Sequence, residues 1–101
     1  MSEQTEQIEI TDNPEARRYE AHVDGALAGF ADYRDADRDG VAVRSFVHTE
    51  VDPAFGGKGI GSALVDDALR ATIASGRRIH PVCSFVVARS AADEFAAHVV
   101  Q

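Results

Sequence analysis

The 101-residue sequence has few of the residues that several protein classes require. Its single cysteine, Cys83, excludes an internal disulfide and favours a reducing compartment such as the cytoplasm. Its 10 lysines and arginines are outnumbered by 17 acidic residues, and the net charge of −7 lacks the basic footprint of nucleic-acid binding. No apolar run approaches the ~20 residues of a membrane helix. The four histidines are not spaced as metal ligands. We therefore predict a cytoplasmic protein without nucleic-acid, membrane or metal binding.

The hydrophobic content is sufficient for one folded domain. Hydrophobic residues make up 45% of the chain, which is enough for a single core at this length. The polar N-terminus differs from a signal peptide. We expect a flexible N-terminus over residues 1–7 and one domain over residues 8–101.

The first half of the chain shows strand patterns separated by turn residues. Alternating apolar residues predict strands over residues 18–24, 26–33 and 41–51. The Asp-Gly pairs at positions 24–25 and 39–40 are hairpin turn signals. The second pair ends a D-x-D-x-D-G run like that of a calcium loop, but Phe46 occupies the position of the essential glutamate. We therefore predict an ordinary hairpin there.

The second half changes to helical periodicity. Residues 60–75 predict an amphipathic helix, followed by a strand over residues 79–87. Ser90 and Asp93 resemble a capping box that opens a last helix over residues 91–100. We expect the strand at 41–51, the helix and the strand at 79–87 to form a right-handed βαβ unit with parallel strands. The predicted fold is α/β, with a mixed, mostly antiparallel sheet of four to five strands and a C-terminal helix.

A glycine-rich stretch, HTEVDPAFGGKGIGSAL at residues 48–64, leads into the long helix. The first amides of a helix have no internal acceptor and carry partial positive charge, and glycines let an anion approach them. The spacing excludes a P-loop, because Gly59 and not Ser or Thr follows Lys58. It also excludes the dinucleotide fingerprint, because Ser62 replaces its third glycine. Either the loop holds an anion, or its glycines only permit close strand–helix packing.

The loop is similar to the acyl-CoA loop of GNAT acetyltransferases, Q/R-x-x-G-x-G/A. Gly59 and Gly61 match this motif, whereas Gly56 replaces its first residue. With RYEAHVDGALAGFADY, HTEVDPAFGGKGIGSALVDDAL and HPVCSF, residues 8–100 resemble the small GNAT-like family of YjdJ-type N-acetyltransferase domain proteins. The resemblance implies acetyl-CoA (coenzyme A) or another acyl-CoA as cofactor and an amine as acceptor. The implied cofactor-binding residues are Val51, Gly56, Gly57, Lys58, Gly59, Ile60, Gly61 and Ser62.

The resemblance also directs attention to Pro81 and Cys83. In GNAT folds the strands on either side of the loop helix splay apart, and the pantetheine arm lies in the gap. Pro81 cannot donate to a strand ladder, so it suits such a gap as well as an ordinary sheet edge. Cys83 would lie near the thioester, as a nucleophile, a base or an inert core residue. GNAT enzymes often use a tyrosine on the following helix as general acid. Residues 91–101 lack one, so Cys83 is the leading catalytic candidate.

His48 is the second catalytic candidate. Strict alternation places His48 and Glu50 on one side of their strand, where they form a proton relay or a pair that only fixes the strand end. We also expect that His48 could approach Cys83. The resemblance implies direct attack by a neutral amine, with the oxyanion held by an amide near Val51 or Cys83; an acyl-Cys83 intermediate is the variant. The alternative function is a non-catalytic acyl-CoA-binding or protein-interaction module, which Gly56 and the missing tyrosine favour.

Overall fold

The computed structural model describes residues 7–56 and 59–101. The first four strands are consecutive in the chain, and the helices follow them. The elements are β1 Ile8–Asn13, β2 Arg18–Val23, β3 Ala26–Arg38, β4 Val41–Val51, a 3₁₀ turn Pro53–Phe55, α1 Ile60–Ala74, β5 Arg78–Pro81, α2 Ser84–Ser90 and α3 Asp93–Ala96. The predicted α/β class is confirmed.

The strands form one mixed sheet in the order β1-β2-β3-β4-β5. The first three pairings are antiparallel, and β5 pairs with β4 in parallel. The predicted βαβ unit is therefore present as β4, α1 and β5. The two Asp-Gly hairpin turns are also present, and all four of their residues have positive φ, as a tight hairpin turn requires.

The sequence patterns did not predict β1. Ile8 and Ile10 alternate with polar residues, but the segment is short and polar on both sides of each isoleucine. Its pairing with β2 and a 2.6 Å hydrogen bond from the Tyr33 hydroxyl to Asp12 hold it in the sheet. Most of the predicted flexible N-terminus lies outside the described residues. Its last residue, Gln7, accepts a 3.2 Å hydrogen bond from the Asp24 amide.

The core lies between one face of the sheet and α1. Strand residues of β2, β3 and β4 contribute Tyr19, Ala21, Val23, Ala31, Tyr33 and Phe46. The buried stripe of α1 contains Ile60, Leu64, Val65, Ala68, Leu69 and Thr72. This spacing is the helical period from which α1 was predicted.

The predicted strand over residues 79–87 is wrong beyond Pro81. The amides of Val82 and Cys83 both donate to the Phe46 carbonyl at 3.0 Å, which ends the ladder and turns the chain away from β4. Cys83 keeps an extended conformation as the N-cap of α2. A short apolar run does not distinguish a strand from a helix by periodicity, and here the run continues as a helix.

The predicted C-terminal helix over residues 91–100 is also wrong in extent, because only α3 is helical there. Ser90 does not open it; its hydroxyl donates to the Val87 carbonyl at 3.1 Å within α2. The chain after α3 instead runs beside β5. The Ile79 amide donates to the His98 carbonyl at 2.9 Å, and the Val100 amide donates to the Ile79 carbonyl at 2.8 Å. Hydrogen bonding to an otherwise open sheet edge prevails over helical continuation. Among the described residues, no helix has the length and apolar character needed to span a membrane.

Candidate functional site

Strand β4 is paired on both sides along only part of its length. β5 pairs with residues 43–46 of β4 and ends at Pro81, opposite Phe46. In the part of the chain that the structure describes, no strand pairs with residues 47–51 on that side, although β3 pairs with them on the other. The sheet therefore opens into a gap between β4 and the chain leaving β5, and Pro81 lies at its start.

Backbone amides of β4 face this gap. The Asp52 amide donates to the Ala28 carbonyl of β3 at 2.7 Å. Amides alternate in direction along an antiparallel strand, so those of Val51 and Thr49 point away from β3 and into the gap. Val51, a predicted cofactor-binding residue, thus presents a backbone donor at the open edge.

The N-terminus of α1 lies beside the same gap. Gly59 is the N-cap with φ 73°, a left-handed conformation that favours glycine. The amides of residues 60–62 have no acceptor within the helix, and the first turn contains no acidic side chain. Together with the helix dipole, they form a place where an anion is favoured. Ile60 is buried in the core, so only its amide, not its side chain, is available to a ligand.

A small apolar cavity joins the helix start to the open strand edge. Its volume is about 140 Å³, and Thr49, Val51, Gly61 and Phe85 line it. A Cβ on Gly61 would lie 3.3 Å from the Phe85 ring and 3.4 Å from Val51 Cγ2. Any larger side chain at position 61 would therefore fill the cavity. We call this space the gap cavity.

The remainder of the predicted loop is only partly described. Gly56 closes the 3₁₀ turn, where its amide donates to the Pro53 carbonyl at 3.1 Å. Its φ of −63° is ordinary for any residue. Gly57 and Lys58, both predicted to bind the cofactor, lie outside the described residues.

Cys83 lies at the edge of the gap, on the core side. Its Sγ is 3.7 Å from Thr49 Oγ1, and the side chain packs partly against the core. Burial opposes ionisation of the thiol, but donors from the Thr49 hydroxyl and the Phe85, Val86 and Thr49 amides outweigh it, so its pKa lies below that of an ordinary thiol. The amide of Cys83 is bonded to Phe46, so Val51 is the better placed of the two predicted oxyanion donors.

His48 lies on the other face of the sheet. The register pairs Thr49 with buried Ala31, whereas His48 is paired with Asp32, and neighbouring strand residues point to opposite faces. His48 Nε2 is 3.1 Å from Glu50 Oε1, and the ring lies 6.1 Å from that of Phe30. The predicted His48–Glu50 pair is present. The expected approach of His48 to Cys83 is not found, because β4 separates them.

Sequence reasoning missed two residues of this site. Thr49 is the hydroxyl partner of Cys83, and alternation with Val51 places both on one face of β4, so that signal was available. Phe85 was expected in a strand, and its position over Gly61 depends on the unpredicted helix α2.

The fold and site define a class of protein: a mixed sheet opened between two parallel strands, with a glycine-rich helix start at the opening. The family model of the GCN5-related N-acetyltransferases matches residues 18–97, which contain β3, β4, α1, β5 and α2, the elements around the gap. The chain therefore belongs to the GCN5-related N-acetyltransferase family.

Solved acetyltransferases share this fold. A ribosomal-protein-alanine N-acetyltransferase from Brucella melitensis biovar Abortus 2308 is 28% identical with a TM-score of 0.57, over 64% of this chain and 48% of its own. A GCN5-related glucosamine N-acetyltransferase region of a fungal multi-domain β-N-acetylglucosaminidase is 25% identical with a TM-score of 0.58, over 65% of this chain and 8% of its own.

A third structure supports the fold alone. An aminoglycoside acetyltransferase from an uncultured soil metagenomic sample, solved with sisomicin, has a TM-score of 0.62 but 15% identity, over 72% of this chain and 54% of its own. This chain thus spans about half the length of the first and third of these proteins. The comparison with curated protein sequences found no match.

Proposed function

We propose that the protein binds acetyl-CoA, or another acyl-CoA, at residues 51 and 56–62 and transfers its acyl group to an amine. The observation that carries the proposal is the convergence of three features at one gap. They are the start of α1, the open edge of β4 and the Cys83 thiol, around a small apolar cavity. Membership of the family supports the same reaction.

The residues present fit such a ligand. The amides of residues 60–62 and the α1 dipole favour a pyrophosphate, which carries the negative charge of the cofactor. The apolar lining of the gap cavity suits a narrow, uncharged arm, and the Val51 amide suits a carbonyl oxygen or oxyanion. When bound, the cofactor supplies an acyl group activated as a thioester.

Two routes of acyl transfer are compatible with the groups at the gap. In direct transfer, the Val51 amide would stabilise the oxyanion formed when a neutral amine attacks the thioester carbon; CoA would then leave as the amine gives up its proton. In the variant, the Cys83 thiolate would take the acyl group and the CoA thiolate would leave. The amine would then attack acyl-Cys83, and Cys83 would be released as the acyl group passes to nitrogen. The lowered pKa of Cys83 supports the variant. His48, held by Glu50 on the outer face, would accept the proton of an amine that approaches from that side.

Binding is tested by thermal unfolding of the whole chain with increasing acetyl-CoA. A ligand of the native state raises stability by mass action, so the melting temperature should climb with concentration. Gly61→Ala should weaken the effect about threefold to tenfold, because its methyl group enters the gap cavity. Its own stability should change by less than ~1 kcal/mol, since alanine favours the helix. No shift at millimolar acetyl-CoA would contradict the proposal.

Catalysis is tested by CoA release in the presence of a panel of amines. Cys83→Ser should keep acetyl-CoA binding but lose turnover if the acyl group passes through Cys83. Full activity of Cys83→Ser would leave direct transfer as the mechanism and remove Cys83 from it.

A non-catalytic acyl-CoA-binding or protein-interaction module is the second candidate. It is favoured by Gly56 in place of the family's glutamine or arginine and by the absence of tyrosine from α2 and α3. It would bind acetyl-CoA in the thermal assay yet release no CoA with any amine of the panel.

A further inference from the structure

A second cavity lies at the opposite end of the sheet from the gap. Its volume is about 600 Å³, and it lies where β3 and β4 extend past the β1–β2 turn and where α1 ends. We call it the arginine pocket. Its lining residues are Asp12, Pro14, Arg17, Tyr33, Arg34, Asp35, Arg44 and Arg77. Its size lies within the range of small-molecule sites.

The arginine pocket is locally positive in an acidic protein. Four guanidinium groups and two carboxylates line it, a formal excess of two positive charges, whereas the chain carries −7. Both carboxylates already have partners. Asp12 accepts a 2.6 Å hydrogen bond from the Tyr33 hydroxyl, and Asp35 accepts two from Arg44 at 2.7 and 2.8 Å. A ligand in the pocket would therefore meet mainly donors.

The guanidinium of Arg44 lies at the base of the arginine pocket and is held in place by its neighbours. The residue is only 6% exposed, its Nη1 donates to the Tyr19 hydroxyl at 2.6 Å, and it lies 3.8 Å from the centre of the Tyr33 ring. Asp35 neutralises the charge of Arg44, and this ion pair is sufficient to explain Arg44 as a structural residue. Arg77 shares this carboxylate, since its Nε lies 3.7 Å from Asp35 Oδ2, but the pairing does not account for Arg17 and Arg34.

Arg17 is held at the rim in a strained conformation. Its φ is 58°, although it is not glycine, and its amide donates to the Pro14 carbonyl at 3.1 Å. Its own carbonyl accepts a 2.9 Å hydrogen bond from the Tyr33 amide, which fixes the turn against β3. Within the described residues, neither Arg17 nor Arg34 forms an ion pair with a carboxylate. Strain of this kind is maintained by its surroundings and is frequent at functional sites.

We propose that the arginine pocket binds a small multivalent anion through phosphate or carboxylate groups, at a site separate from the acyl-CoA loop. Guanidinium groups match both oxyanions with paired hydrogen bonds. Arg17, Arg34 and Arg77 provide the donors, and Arg44 provides fixed positive charge beneath them. This ligand goes beyond the proposed acyl transfer and does not depend on it.

The test is a titration of the 101-residue chain with pyrophosphate and with citrate, followed by amide and arginine Nε–H NMR signals at low salt. Saturable shifts are expected in the turn of residues 14–17, in residues 33–35 and at Arg77. The double variant Arg17→Asn and Arg34→Gln should bind about fivefold to tenfold more weakly. Asparagine tolerates the positive φ at position 17, so the turn is preserved.

A charge-matched control separates the site from general attraction. Arg70→Gln with Arg78→Gln removes two charges from exposed positions outside the pocket and should bind as the wild type does. Equal weakening in both double variants would overturn the proposal, because it would indicate only net charge. Shifts confined to residues 60–62 would also overturn it, since the anion would then occupy the start of α1. Saturation by pyrophosphate but not citrate identifies phosphate as the group bound, and the reverse identifies carboxylate.

Discussion

The two halves of β4 differ in how completely they are enclosed. Residues 43–46 have β3 on one side and β5 on the other, and they bury Arg44 and Phe46. Among residues 7–56 and 59–101, residues 47–51 have a strand on one side only, and they adjoin Gly61 and Cys83 across a cavity. One strand thus contributes to the core at one end and to the candidate site at the other.

The difference shows where this small domain can accommodate a ligand. Backbone groups that are paired within the sheet are unavailable, whereas the unpaired edge beyond Phe46 presents amides to solvent or to a bound molecule. Opening the sheet there costs pairing energy, and the closed half must offset it. Substitutions in the closed half should therefore alter stability, and those in the open half should alter binding.

Asp35→Asn should give the largest effect and should fall on stability. It leaves the buried guanidinium of Arg44 without its carboxylate, although the amide oxygen keeps one acceptor. Since Asp35 itself is partly exposed, we expect a loss of about 2–3 kcal/mol in the free energy of unfolding. Urea denaturation measures it. Asp37→Asn, an exposed change on the same strand, should cost less than ~0.5 kcal/mol.

The Asp35–Arg44 pair should also make the stability of the fold depend on pH in the acid range. Hydrogen bonds from Arg44 hold the pKa of Asp35 below its usual range. A carboxyl with a lowered folded pKa stabilises the fold above its unfolded pKa, about 4, and this contribution disappears as pH falls through the folded value. The difference between wild type and Asp35→Asn should therefore be constant from pH 7 to about 5 and shrink below about pH 4. A difference that persists undiminished at pH 2 would contradict the ion pair.

Much of the fold could be predicted from the sequence, because its signals are local. The two Asp-Gly turns and the 3.6-residue period of α1 each determine their element without distant contacts. The chain after Pro81 was mispredicted for the opposite reason. Whether residues after Pro81 continue as a strand depends on where the Phe46 carbonyl lies, and this is a tertiary contact.

The candidate site likewise has features that local sequence signals predict and features that depend on tertiary contacts. The loop glycines were visible as a motif, and the gap was implied by family resemblance. The donors around Cys83 were not visible, because the Phe85 and Val86 amides reach the thiol only through helix α2. The separation of His48 from Cys83 by the thickness of the sheet likewise required the register of β4.

Gly59→Ala and Gly76→Ala form a matched pair at the two ends of α1. Both glycines have positive φ, 73° and 84°, and a Cβ at either position would have no atom of the described residues within 4 Å. Each substitution should therefore cost about 1 kcal/mol in stability from backbone strain alone. Only Gly59→Ala should weaken acetyl-CoA binding, about threefold to tenfold, because its strain acts on the loop. Calorimetric titration at a temperature where both variants are folded measures this. If Gly59→Ala and Gly76→Ala bound acetyl-CoA equally well, the start of α1 would not be part of the cofactor site.

Gly56→Arg should strengthen binding. It restores the residue type that the family motif has at this position. The backbone there has an ordinary φ, and among the described residues a Cβ would approach only the Pro53 carbonyl, at 3.3 Å. We expect about threefold tighter acetyl-CoA binding from an added charged hydrogen bond, with stability changed by less than ~0.5 kcal/mol. Gly56→Ala supplies the Cβ without the guanidinium and should leave the affinity unchanged. If alanine and arginine give the same result, the missing side chain is not what limits affinity.

Thr49→Val should give the smallest effect and tests the open half most locally. It removes one hydroxyl from Cys83 while keeping the shape of the side chain, so the pKa of the thiol should rise toward that of an ordinary thiol. Because Cys83 is the only cysteine, alkylation by iodoacetamide across a pH series reports this thiol alone. At neutral pH the reaction should slow about twofold in Thr49→Val, since less thiolate is present. Thr11→Val, an exposed change on β1, should leave the profile unaltered. An unchanged profile in Thr49→Val would assign the lowered pKa to the backbone amides alone, and the open edge of β4 would then act on Cys83 only through its main chain.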